Sequence, residues 1–103
     1  LKHITCPTVQ HDMITAQHNY VIRVNARNKL HLYFRDRGIS SGVHYMPVHL
    51  HPYYKKLFPE TSLPTTEAEW PHLLTLPLYP QLTMKEQNYI ITCIKKYYLQ
   101  KSI

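Results

Sequence analysis

The chain is poor in glycine, cysteine and acidic residues. Of its 103 residues only two are glycine, Gly38 and Gly42, and two are cysteine, Cys6 and Cys93. A phosphate-cradling loop needs several glycines so that backbone N–H groups can close on the ligand. Neither G-x-G-x-x-G nor G-x-x-x-x-G-K-[ST] can be written with Gly38 and Gly42, which excludes a self-contained nucleotide-binding domain of either kind. The cysteines stand near opposite ends, form no C-x-x-C and are too few for a secreted disulfide scaffold. Reduced thiols in a cytoplasmic protein are the simpler reading. Cys93 falls in an apolar helical stretch, where a cysteine packs rather than reacts. No apolar run approaches the ~20 residues of a membrane span. Residues Leu1 to Pro7 lack the apolar h-region of a signal peptide.

What is present describes one domain. Apolar residues make up 44% of the chain, enough for a modest core that buries roughly two-thirds of the unfolded surface. Twelve lysines and arginines against six acids give a formal charge of +6, which raises nucleic acid as a partner. The cations are dispersed, however. Lys55 and Lys56 form one pair, Lys95, Lys96 and Lys101 a second group, and Arg23, Arg27, Arg35 and Arg37 a third. A cationic last turn is also what a helix dipole favours, so solvated faces explain most of the pattern.

Residues 1–18 are polar, proline-interrupted and without a clear period; they read as a connector or a loosely attached strand. Tyr20 to Val24 is a β-rich run with Tyr20, Ile22 and Val24 on one face. Asn25 is a candidate cap for a helix through Arg37, with Leu30, Tyr33, Phe34 and Arg37 at i, i+3, i+4, i+7. Gly38 suits the left-handed residue that closes it. Alternation from Ile39 to Tyr45 predicts a second strand. A loop stiffened by Pro47 and Pro52 leads into a short helix with Pro52 at its first position. Thr65 or Thr66 is a candidate cap for another short helix, cut or kinked at Pro71. Leu73 to Leu76 predicts a third strand. Thr83 and Glu86 form a capping box that opens the clearest helix, with Gln87, Ile90, Ile91, Ile94, Tyr97 and Tyr98 in one stripe. The resulting class is α+β, a small three-stranded sheet with helices packed on one face.

His44, His49 and His51 are the densest chemistry. An H-x-H pair on an extended segment points both rings to one side, as a metal site needs. No Asp, Glu or Cys lies between positions 37 and 59, and two prolines restrict how the three rings converge. Ligand contact and plain loop hydrogen bonding both remain open for them; metal does not have a ligand set. Ser40 and Ser41 form no G-x-S-x-G elbow, so a self-standing hydrolase is rejected. Glu67 and Glu69 read as a solvated turn. The tyrosines track helix faces, which favours packing over base stacking.

Three separated stretches carry a resemblance. They are Tyr20 to Val24 with Arg27, Arg35 to Tyr53 (RDRGISSGVHYMPVHLHPY), and Leu73 to Thr83 (LLTLPLYPQLT) followed by Glu86-Gln87. Together they resemble the C-terminal small domain of the DegT/DnrJ/EryC1/StrS aminotransferases, over about residues 18 to 100. Trp70-Pro71 departs from the pattern where the family continues a short helix, and residues 1–17 match weakly.

The resemblance implies a pyridoxal-phosphate-dependent enzyme that aminates keto sugars on nucleotide carriers in amino-sugar biosynthesis. It also implies a homodimer with sites at the subunit interface. It divides the chain into a connector from a large domain (1–18) and the small domain itself (19–103). The Schiff-base lysine, the partner of the pyridine nitrogen and the phosphate cradle belong to that large domain, and no lysine here sits in its motifs. The chain is therefore expected to bind no cofactor and to be inert alone. His44 and Tyr45 are expected to line the nucleotide-sugar site, with His49 and His51 in more structural roles and Arg23 as a lesser anionic contact. No catalytic, cofactor-binding or metal-binding residue is expected. A non-catalytic basic module that binds nucleic acid or protein is the alternative.

Overall fold

The computed structural model describes residues 3–100. Its elements run β1 (Ile4–Thr5), β2 (Tyr20–Val24), α1 (Arg27–Arg35), a 3-10 turn (Val48–Leu50), α2 (Pro52–Leu57), α3 (Pro64–Glu69), a second 3-10 turn (Trp70–His72), β3 (Leu73–Leu76) and α4 (Met84–Leu99). The strands form one antiparallel sheet in the order β1-β2-β3. Ile4 pairs with Val24, and Tyr20, Ile22 and Arg23 pair with Leu76, Leu74 and Leu73.

Side chains alternate across a strand, so this register puts Ile22, Val24, Leu74 and Leu76 on one face. Leu30 and Phe34 of α1, Ile39, and Ile90, Cys93, Ile94 and Tyr97 of α4 close over that face. Leu30, Phe34 and Leu74 are completely withdrawn from solvent. Burying a side chain of that size contributes about 1.5–3 kcal/mol. The opposite face carries Val21, Arg23, Leu73 and Thr75. The α+β class and the one-sided helical layer are as expected.

The composition of the sheet differs from the expectation in one strand. Residues 39–45 do not form a strand; they contribute a single bridge, Gly42 to Thr75, at the free edge of β3. The third strand is instead Ile4–Thr5, from the segment read as a connector or loose strand. The reason lies in how α1 ends. Gly38 takes φ +69°, the Gly38 N–H donates to the Arg35 carbonyl at 3.1 Å, and the Ile39 N–H donates to the Phe34 carbonyl at 3.0 Å. This is a Schellman closure with its apolar contact, Ile39 against Phe34. Ile39 is thus used to finish a helix and cannot begin a strand.

Two helix starts also differ. Ala26, in the left-handed region at φ 54°, occupies the cap position of α1 in place of Asn25, and no side chain caps that end. Leu63 precedes α3, with Pro64 in its first turn, so neither Thr65 nor Thr66 caps it. The proline supplies a fixed φ and lacks the N–H that would go unpaired there. At Trp70-Pro71 the helix gives way to the second 3-10 turn.

The capping box of α4 is complete. The Glu86 N–H donates to Thr83 Oγ1 at 3.2 Å and the Thr83 N–H donates to Glu86 Oε2 at 2.8 Å. The Thr83 N–H first, then the Thr83 hydroxyl, which donates to the same oxygen at 2.7 Å, holds the Glu86 carboxyl below its ordinary range. Of the predicted stripe, Ile90, Ile94 and Tyr97 are buried, while Ile91 lies at the exposed margin. Cys93 is buried and Cys6 is exposed, and neither is in a disulfide, in keeping with two free thiols. No helix among the described residues is long and apolar enough to cross a membrane.

Candidate functional site

The site begins where α1 stops. After Ile39 the chain runs along the free edge of β3, and Gly42 exchanges both backbone bonds with Thr75, at 3.0 and 2.8 Å. The entering segment is tied to α1 by a 2.8 Å hydrogen bond between His31 Nδ1 and Ser41 Oγ. His44 then folds back over β3, and its Nδ1 lies 2.9 Å from Thr75 Oγ1. Tyr45 stands edge-on to the His44 ring, with centroids 4.9 Å apart, and is 76% exposed. The His44–Tyr45 peptide is cis.

Beside this pair lies a polar hollow of about 330 Å³, lined by Asn19, Ser40, Ser41, Gly42, His44 and Thr75 and rimmed by Leu76, Pro77 and Leu78. Its lining combines hydroxyls, an amide and an imidazole with apolar side chains. Such a wall can hydrogen-bond a polyhydroxylated or phosphorylated ligand while a ring packs against it.

The other candidates are engaged inside the protein. His49 Nε2 donates to Glu67 Oε1 at 2.9 Å, an oxygen that also accepts the Leu63 N–H at 3.0 Å. The backbone bond first, then the imidazole, holds the Glu67 carboxyl below its ordinary range. His51 Nε2 donates to the Met46 carbonyl at 3.2 Å, which closes the loop on itself.

Arg23 shares the sheet face of Thr75, but its guanidinium is forked onto Glu69, Nε to Oε2 at 2.6 Å and Nη2 to Oε1 at 3.3 Å. That pair lowers the Glu69 carboxyl and raises the Arg23 guanidinium. Glu67 and Glu69 lie on α3, remain partly exposed, and each pairs with one cationic or imidazole side chain.

The structure thus places His44 in the lining of the hollow with the Tyr45 ring against it, and gives His49, His51 and Arg23 partners elsewhere. Among the described residues no three His, Cys, Asp or Glu side chains come together to hold a metal ion. Thr75 and Gly42 were not singled out as site residues, because nothing local to them marks the bridge. For Glu67 a signal exists, an acid in the first turn of a helix opened by proline.

The pyridoxal phosphate implied by the resemblance needs a lysine desolvated enough to lose its proton near neutral pH. Lys29, Lys55, Lys56, Lys85, Lys95 and Lys96 are all exposed. These residues do not fit an anchor for that group.

Comparison with known proteins follows the same lines. The model of the DegT/DnrJ/EryC1/StrS aminotransferase family matches residues 1–95. DesV of S. venezuelae, solved in complex with a ketimine intermediate, superposes with a TM-score of 0.83 at 31% identity, over 92% of this chain and 26% of its own. A DegT DnrJ EryC1 StrS aminotransferase from Brucella abortus does so at 0.81 and 27% identity, over 93% and 26%. TlmJ, an aminotransferase from Streptoalloteichus hindustanus, gives 0.88 over 100% of this chain and 28% of its own, at 24% identity, and shares the fold. The chain spans about a quarter of the length of these solved relatives. With the family model matched over residues 1–95 of this chain and the fold shared, this chain belongs to the DegT/DnrJ/EryC1/StrS aminotransferase family.

Proposed function

We propose that this chain is the C-terminal small domain of a pyridoxal-phosphate-dependent sugar aminotransferase, and that His44 and Tyr45 form one wall of its nucleotide-sugar site. The observation that carries this reading is the pairing of an exposed phenol with an anchored imidazole at the mouth of a polar hollow. In such a wall the imidazole and the hydroxyls of Ser40 and Ser41 hydrogen-bond hydroxyl or phosphoryl oxygens, and the Tyr45 ring covers an apolar sugar face. His49, His51 and Arg23 act from behind. The bonds of His49 and His51 to Glu67 and Met46 fix the loop that follows the pair, and the Arg23–Glu69 pair ties α3 to β2.

On this reading residues 1–18 connect to a large domain that carries the lysine and the cofactor, although Ile4–Thr5 also completes the sheet. The working enzyme is a cytoplasmic homodimer, a placement supported by the two free thiols. The substrate is a keto sugar on a nucleotide. The similarity to DesV, whose structure holds a ketimine, supports the reaction class.

The test uses the chain alone and joined to the large domain of a relative. Titrated alone with pyridoxal phosphate at neutral pH, the chain should develop no imine absorption band. In the fusion it should support transamination of a nucleotide keto sugar, and His44→Ala should raise KM. An imine band from the chain alone would contradict its inertness. A fusion that folds but is inactive would contradict the domain assignment. Salt-sensitive binding of random-sequence DNA at physiological ionic strength would favour the basic-module alternative.

A further inference from the structure

His44 offers two ring nitrogens, and the fold occupies one. Nδ1 meets Thr75 Oγ1 at 2.9 Å, and Nε2 has no partner among the described residues. Thr75 is 6% exposed. Both of its backbone groups are bonded to Gly42, and among the described residues its hydroxyl has no hydrogen-bond partner except His44. A buried hydroxyl proton needs an acceptor. The imidazole Nδ1 lone pair is the acceptor in reach. Were Nδ1 to carry the proton instead, the threonine hydrogen would have no protein acceptor among the described residues.

Gly42 controls the same contact from below. A Cβ built on it would lie 2.8 Å from His44 Cε1 and 3.4 Å from Nδ1, closer than the ring can tolerate without moving. The Gly42 backbone does not lie in the left-handed region, so this glycine is required for the space it leaves and not for its dihedral angles.

We propose that Thr75 and Gly42 are positioning residues that hold neutral His44 as its Nε2–H tautomer, so that the site presents a hydrogen-bond donor to an acceptor oxygen, phosphoryl or carbonyl, of the substrate. The tautomer is a property of this chain, whereas its use toward substrate rests on the aminotransferase reading above. A second-layer hydrogen bond selects which imidazole nitrogen carries the proton. Fixing it removes the need to reorganise the ring when ligand arrives.

The tautomer is read by ¹⁵N NMR of the histidine-labelled 103-residue chain without ligand, at mildly alkaline pH where imidazole is neutral. The expected spectrum has a pyridine-like Nδ1 and a pyrrole-like Nε2 for His44. Thr75→Ser should retain it. Thr75→Val and Gly42→Ala should collapse it toward the averaged shifts of a free ring, while backbone amide dispersion stays native. If Thr75→Val loses its fold, Gly42→Ala decides. An averaged or Nδ1-protonated His44 in the unaltered chain, or variants with unchanged shifts, would overturn the tautomer assignment.

In the fusion enzyme, Thr75→Val should raise KM about tenfold, the equivalent of one modest hydrogen bond, and Thr75→Ser should restore it. An unchanged KM beside a collapsed tautomer would overturn the role toward substrate. An inactive parent fusion would overturn that role as well, and the aminotransferase reading with it, yet leave the ligand-free tautomer result standing.

Discussion

The layer made by the sheet, α1 and α4 and the segment from residue 46 to 66 are held by different forces. In the first, Ile22, Val24, Leu30, Phe34 and Leu74 are all under 2% exposed, and burial supplies the stability. In the second, Val48, Tyr53, Leu57, Phe58 and Leu63 are exposed, and the order comes from polar clips, His49 to Glu67 and His51 to Met46. Stability is therefore concentrated in one region, while the segment that follows the candidate site opens at lower cost. Binding segments are commonly drawn from that low-stability end.

The sharpest way to break this contrast is Phe34→Ala. Removing a fully buried ring should cost about 3–5 kcal/mol and lower the denaturant midpoint of the whole domain, segment 46–66 included. Loss confined to α1 would mean that the core is not one cooperative unit. A smaller global effect is expected from Gly38→Ala. No atom lies within 4 Å of the added Cβ, so the cost is the left-handed backbone alone, about 1–2 kcal/mol, read from the same denaturation curve.

Glu67→Gln should have the smallest global effect and the most local one. Faster hydrogen exchange in 46–66, with the midpoint nearly unchanged, is the expected result. The sign of its pH dependence follows from the lowered carboxyl. A carboxyl that titrates lower when folded contributes fully above its ordinary range, and its contribution disappears as pH falls through the lowered value. Acid should thus loosen 46–66 in the unaltered chain and have a weaker effect in Glu67→Gln. Identical acid profiles would remove Glu67 from the account.

The features that could be read from the sequence are those whose cause is local. The α4 capping box, Pro52 at the start of α2 and Gly38 at the end of α1 each depend on residues three or four apart, and each is found as expected. The alternation of residues 39–45 misled because it is a local pattern overridden by a neighbour, the Schellman closure that takes Ile39. β1 was indistinct because two residues carry no period.

The candidate site divides in the same way. His44, Tyr45, His49, His51 and Arg23 were visible by type and by resemblance to a family. Their partners were not. Thr75 is 31 positions from His44, Glu67 18 from His49, and Glu69 46 from Arg23, and only the assembled sheet brings the pairs together.

Seven of the eight prolines fall between positions 47 and 80, in and around the sparsely buried segment 46–66. Two of them, Pro52 and Pro64, open α2 and α3. Proline narrows the conformations open to a chain before it folds, so ordering such a segment forfeits less backbone entropy than ordering an ordinary one. The weakly packed stretch is therefore helped from the denatured side. A few polar clips suffice because the unfolded chain there has less freedom to lose.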